Sequence, residues 1–223
     1  MFIPISQPSI TQKEIDYVND AVKSTWISSL GKYIDMFESK FAKFCESKYA
    51  ICVSNGTVAI QLALKAYGIK EGDEVIIPNI SFIATANAVL HSGATPVFAE
   101  IDPFNYCLDP NSLEALINEK TKVIMPVHLY GHPADMNQIS KIAKKYNLLV
   151  IEDAAEAHGA TVDGKKVGSL GNCATFSFYG NKNLTTGEGG MITTNDELVY
   201  KKCKYLRDHA MSKEKRYWHT ELG

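Results

Sequence analysis

The chain has 223 residues, 45% hydrophobic and 22% charged, enough to bury one sizeable core as one domain or one and a half, which excludes a disordered segment. A formal net charge of -2, with acidic and basic residues intermixed, leaves no polybasic stripe for a phosphodiester backbone, so nucleic acid is not an expected partner. No stretch approaches the roughly 20 apolar residues that span a bilayer, and the start, MFIPISQPSITQKE, lacks a basic-then-apolar leader, so a cytoplasmic protein with no membrane partner is expected. The five cysteines (Cys45, Cys52, Cys107, Cys173 and Cys203) are odd in number and form no C-x-x-C pair. They read as small buried apolar residues, with no metal site expected.

In chain order, Thr11 followed by Glu14 ahead of Ile15, Val18 and Val22 is a capping-box pattern that predicts an amphipathic helix near the start. A second helix is expected over 33–44. Apolar strand-like runs then follow at 50–53, 75–78, 96–99, 123–127 and 148–152. Helical patterns at 58–67, 83–92, 112–117 and 136–146 separate them, each expected to cross over a parallel sheet. This alternation predicts an α/β domain with ligands at the strand ends. After residue 152 the pattern shortens to β-like pieces over 161–167 with an Asp163-Gly164 turn, strands at 174–177 and 191–194, and a helix over 197–206.

Three segments carry candidate chemistry. In TFSFYGNKNLTTGEGG, 175–190, Lys182 follows a buried strand among small and amide residues with no carboxylate nearby in sequence, which suits a desolvated amine able to form a Schiff base. In VIEDAAEAHGA, 150–160, an apolar strand delivers Glu152, Asp153 and Glu156 at its carboxyl end, although an Asp there also reads as a helix N-cap. In VSNGTVAIQLAL, 53–64, a strand turns through Asn55, Gly56 and Thr57 into a helix whose first amides suit a phosphate. A phosphate cradle, a strand-end carboxylate and a lysine are together the parts that pyridoxal 5'-phosphate requires, the carboxylate keeping the pyridine nitrogen protonated and the lysine moving the proton. His128, in PVHLYGH, reads as structural, and Glu188 in GEGG marks a tight turn.

With WISSLGKYIDMFE from Trp26, VSNGTVA from Val53, GDEVIIP from Gly72, IEDAAEA from Ile151, FSFYGNKNLTTGEGGM from Phe176 and RYWH from Arg216, nearly the whole chain resembles the nucleotide-sugar aminotransferases of the aspartate-aminotransferase fold. The resemblance implies a three-layer α/β sandwich with a mostly parallel central sheet, the large domain of a pyridoxal-phosphate-dependent transferase preceded by N-terminal helices. Residues 1–223 fill that unit, and the small C-terminal domain of the family is expected to be absent. By the same resemblance Lys182 carries the cofactor, Asp153 pairs with its ring nitrogen, Glu156 lies near its ring hydroxyl and Phe82 stacks on the ring. Gly56, Thr57 and Ser177 match phosphate binders, and Trp26, Ser28 and His219 match the side of the sugar nucleotide, with Arg216 and Trp218 beside His219. Glu156 stands where many relatives carry glutamine, and the members that aminate a GDP-linked 4-keto-6-deoxyhexose share the glutamate. A lysine rather than a histidine at position 182 favours transamination over dehydration. The implied substrates are glutamate and a nucleotide-linked keto-sugar, and the implied assembly is a homodimer with shared active sites. The alternative is a truncated, non-catalytic module that binds the cofactor or a protein partner.

Overall fold

A computed structural model describes residues 3, 7–212, 215 and 217–223. Helix α1 (Gln12–Lys23) opens with the expected capping box of Thr11 and Glu14, yet none of its residues is buried, and Ile15, Val18 and Val22 lie exposed on its apolar side. Helix α2 (Lys32–Phe44) follows and leads into strand β1 (Tyr49–Val53). Helix α3 (Gly56–Ala66), strand β2 (Glu74–Pro78), helix α4 (Ala84–His91), strand β3 (Thr95–Ala99) and strand β4 (Thr121–Ile124) come next. Helix α5 (Met136–Tyr146) is capped by Asp135, which accepts from the Gln138 amide at 3.0 Å, and ends at Asn147 in the left-handed region. Strand β5 (Leu149–Asp153), the hairpin of β6 (Thr161–Val162) and β7 (Lys165–Lys166), strands β8 (Cys173–Ser177) and β9 (Gly190–Thr194), and helix α6 (Glu197–Arg207) complete the order.

One expected element does not form. Instead of a helix over 112–117, a single 3-10 turn at Pro110–Ser112 leads into turns. The apolar residues Leu113, Leu116 and Ile117 span fewer than two turns, and the Asn118 amide is taken by the Thr121 hydroxyl at 3.1 Å. So short a segment does not repay helix nucleation.

The central sheet has seven strands in the order β1-β9-β8-β5-β4-β2-β3. From β8 through β5, β4 and β2 to β3 the pairing is parallel, while β9 runs antiparallel to both β1 and β8. Period-2 alternation sorts the strand residues into two cores. Ile51, Val75, Ile77, Ile151 and Ile192 pack under α3, α4 and α6. Their alternates face the other way, with Ile76, Ile124 and Val150 under α5 and Ala50, Ala174 and Phe176 under α2. The result is a three-layer α/β sandwich with a mostly parallel sheet. Among the described residues, no helix is long and apolar enough to cross a membrane.

Candidate functional site

Alternation at the end of β5 sends two adjacent carboxylates to opposite faces. Glu152, fully buried, accepts from the amides of Gly168, Leu170 and Gly171 at 3.1, 2.9 and 2.8 Å and from His128 Nε2 at 3.1 Å. Because His128 Nδ1 accepts from the Ala134 amide at 3.1 Å, the ring proton sits on Nε2 and points at Glu152. That set of bonds is closed, so both side chains serve to hold the loops after β4 and before β8. Asp153 instead turns toward the α3 and α4 layer. No helix begins beyond it, so it caps none; its Oδ1 accepts from the Ala155 amide at 3.2 Å and its Oδ2 from Thr85 Oγ1 at 2.7 Å. Burial pushes the Asp153 carboxyl up from its ordinary range, against the downward pull of the Thr85 and Ala155 hydrogen bonds and of His128 and Lys182.

The chain between β1 and α3 builds an anion cradle. Asn55 caps α3 by accepting from the Val58 amide at 2.9 Å, which leaves the amides of Gly56 and Thr57, the first two helical residues, with no carbonyl behind them inside the helix. Gly56 lies against the end of β8, where an added Cβ would come within 2.9 Å of the Ser177 Cβ. The Ser177 hydroxyl therefore stands beside those amides.

Beyond β8 the loop folds back so that Lys182, with 14% of its side chain exposed, brings Nζ to 3.1 Å from Glu156 Oε1. The carboxylate beside this amine is remote in sequence, supplied by the turn after Asp153 from 26 residues away. Glu156 is itself fixed by the Tyr130 amide, which donates to Oε2 at 2.8 Å. Tyr130 takes a left-handed conformation, φ 51°, that non-glycine residues adopt at a cost and that recurs at functional sites.

A cavity of about 180 Å³ unites these parts. Gly56, Thr57 and Ser177 line one side, Asp153 and Thr85 lie deep, and Lys182, Glu156 and Phe82 complete the wall, Phe82 with 72% of its surface exposed. Helix-end amides with a hydroxyl suit a phosphate, a buried carboxylate suits a ring nitrogen, and an amine stands at the wall, so the donor set fits pyridoxal phosphate.

Residues 8–223 match the family model described as the DegT/DnrJ/EryC1/StrS aminotransferase family. The chain belongs to that family. It is 52% identical over 222 residues to a GDP-perosamine synthase of Escherichia coli O157:H7, covering 100% of this chain and 61% of that protein. The aminotransferase from Psychrobacter cryohalolentis superposes with a TM-score of 0.93 at 42% identity, over 99% of this chain and 59% of that one. NtdA from Bacillus subtilis, solved with bound cofactor PMP, gives 0.86 at 39% identity, over 96% of this chain and 49% of that one. The chain therefore spans about 60% of the length of the curated relatives it matches.

Within this DegT/DnrJ/EryC1/StrS unit, all seven residues expected to meet the cofactor line the one cavity, whereas those expected to meet the sugar nucleotide do not. Trp26 closes its own turn by donating to the Leu30 carbonyl at 2.6 Å, Ser28 accepts from the Leu30 amide at 3.4 Å, and His219 bonds the His209 carbonyl at 2.7 Å. Their neighbours Ser29, Leu30 and His209 border a separate open groove of about 750 Å³ on the opposite side of α3, where Val58, Gln61, Leu62 and Lys65 face. Although larger, that groove shows no convergence of reactive groups among the described residues, and two of its cations, Lys204 and Arg207, are paired with Glu38 at 3.1 and 2.7 Å. Arg216 lies outside the described residues. Sequence reading missed Thr85 and Tyr130. Tyr130 carried a faint signal in the Tyr-Gly pair that follows a strand, whereas nothing in the sequence marked Thr85.

Proposed function

We propose that this chain is the large, cofactor-binding domain of a sugar aminotransferase, which holds pyridoxal 5'-phosphate on Lys182 and passes an amino group from glutamate to a nucleotide-linked 4-keto-6-deoxysugar. The observation that carries the reading is the convergence of the Lys182 amine, the Asp153 carboxylate and the free amides of α3 on a single cavity. GDP is the nucleotide we assign, because the E. coli relative bears the name GDP-perosamine synthase; UDP- and dTDP-linked sugars are the competing acceptors.

When bound, the cofactor supplies an electron sink that stabilises a carbanion at the amine-bearing carbon. Each residue then has a separate task. Gly56, Thr57 and Ser177 hold the phosphate with backbone amides, the α3 dipole and a hydroxyl. Asp153, whose carboxyl burial pushes upward, would pair with the ring nitrogen, and a cation placed against it favours the carboxylate form. Phe82 covers the ring face. Lys182 would form the covalent link and would be the amine that moves the proton, and Glu156 Oε1, 3.1 Å away, would hold that amine in place. We place the protein in the cytoplasm, whose reducing conditions suit its unpaired thiols, as a homodimer with shared active sites.

Borohydride reduction after reconstitution with pyridoxal phosphate, followed by peptide mapping, tests this reading. A reduced pyridoxyl group on Lys182 that is lost in Lys182→Ala supports it, and loss of the visible band on adding glutamate supports amino transfer. With no adduct on the wild-type chain, the reading gives way to a non-catalytic module.

A further inference from the structure

Asp153 is buried deep in the cavity, and among the described residues the only side-chain hydrogen bond it receives comes from Thr85 Oγ1, 2.7 Å from Oδ2. Thr85 is itself buried in the first turn of α4, and its hydroxyl lies 2.7 Å from Ser81 Oγ. A hydroxyl has one proton to give. Beside an ionised carboxylate, which only accepts, Thr85 must donate to Asp153 and so must accept from Ser81. A protonated Asp153 lifts that constraint, because its carboxyl can then donate to Thr85 as well as accept from it. The order of donors from Ser81 through Thr85 is thereby tied to the charge on Asp153, and it starts at the cavity wall, which Ser81 and Phe82 both line.

Resting on the cofactor reading above, we propose that Thr85 is a positioning residue, whose hydroxyl fixes both the orientation and the ionised state of the Asp153 carboxylate for the cofactor's ring nitrogen. The other groups facing Asp153 do not replace it. His128, from the loop after β4, has both ring nitrogens engaged with Glu152 and Ala134; Lys182, from the loop after β8, is paired with Glu156 on the turn that follows Asp153. Helix α4 contributes the uncharged Thr85. Without its hydroxyl, Oδ2 keeps no donor among these bonds, and burial then drives the carboxyl toward its neutral form.

Thr85→Val keeps the shape and removes the donor, and Thr85→Ser restores the donor. In the cofactor-free chain, carbon-13 NMR of labelled aspartate carboxyls, with the Asp153 signal assigned by its loss in Asp153→Asn, reads the titration midpoint directly. Thr85→Val is expected to raise that midpoint by about one pH unit, the loss of one charge-assisted hydrogen bond, and to weaken pyridoxal phosphate binding about tenfold. Thr85→Ser is expected to return both to the wild-type values. A folded Thr85→Val chain with an unmoved midpoint, or with a moved midpoint and wild-type cofactor affinity, overturns the proposal. If Thr85→Val does not fold, Ser81→Ala takes its place, with a smaller rise in the midpoint supporting the relay and none overturning it. A wild-type chain that takes up no cofactor overturns the cofactor reading alone, and the midpoint comparison still decides whether Thr85 governs the carboxylate.

Discussion

Burial raises the Asp153 carboxyl above its ordinary 3.8, and the hydrogen bonds from Thr85 and Ala155 offset this only in part. A group whose folded pKa is raised binds its proton more tightly in the native state, so its favourable contribution is present below 3.8 and is lost as pH rises through the folded value. Above 3.8 the charge that Asp153 carries freely in the unfolded chain is opposed by burial in the cofactor-free folded protein, which costs stability for the sake of the site. Asp153→Asn keeps the shape and removes that charge. The variant is expected to unfold at a higher urea concentration than wild type at pH 7, with the gap closing in acid, and to bind pyridoxal phosphate more weakly; an unchanged or lower urea midpoint at pH 7 would refute the claim. At this scale the sequence placed Asp153 and Gly56 at the cavity, because they stand at a strand end and a helix start, and the resemblance to the family added Ser177 and Phe82. It did not show which atoms pair. Glu156 meets Lys182 across 26 residues, and Thr85 meets Asp153 across 68, distances that only the packing of α4 and the β8 loop against β5 closes.

Helix α3 joins the phosphate cradle to the sheet, and its first residue shows two terms in competition. Replacing glycine by alanine in a helix gains up to about 1 kcal/mol from propensity. Against that, a Cβ on Gly56 would meet the Ser177 Cβ at 2.9 Å, a short side chain on a fully buried strand that has no flexible end to yield. Overpacking of that kind costs about 1–3 kcal/mol, so Gly56→Ala is expected to lower stability by about 1 kcal/mol while prising the α3 amides from Ser177. Calorimetry should show a reduced melting temperature together with about tenfold weaker pyridoxal phosphate binding; a stabilised variant with intact binding would show that the contact yields. Elements with local signals were the legible ones. The Thr11 and Glu14 capping box and the Met136–Tyr146 repeat foretold α1 and α5, whereas the apolar spacing over 112–117 imitated a helix too short to pay for nucleation. The exposure of α1 was not legible either, since its apolar stripe promised burial that none of its residues has.

Across the whole molecule, the response to acid is set by groups whose burial differs between folded and unfolded chains, and His158 is the most unusual of them. Its ring lies 5.4 Å from those of Phe176 and Phe178 and 6.4 Å from that of Phe41, and both of its nitrogens are buried with no well-formed hydrogen bond among the described residues, although the Ser177 backbone is near. Burial lowers its pKa from 6.5 to about 4; the Ser177 backbone opposes the shift and Lys182 reinforces it. The unfolded chain thus binds a proton between these values that the folded one refuses. Stability is whole above 6.5 and falls as pH drops toward 4, by up to about 3 kcal/mol from this group. Asp153 has the opposite sign and titrates from its unfolded value of 3.8 upward, so the two groups partly cancel where their windows overlap. Comparing wild type with His158→Met isolates one from the other, because every carboxylate is common to both proteins, and methionine fills an aromatic cage without a proton to bind. Urea unfolding from pH 7 to pH 4 is expected to show the variant gaining on wild type by about 3 kcal/mol. Parallel curves for the two proteins would mean that the His158 ring finds a partner or leaves its cage on protonation. His158 sits five residues beyond Asp153, on the segment that carries Glu156, so the same acid transition is expected to release bound cofactor from wild type before it does so from His158→Met.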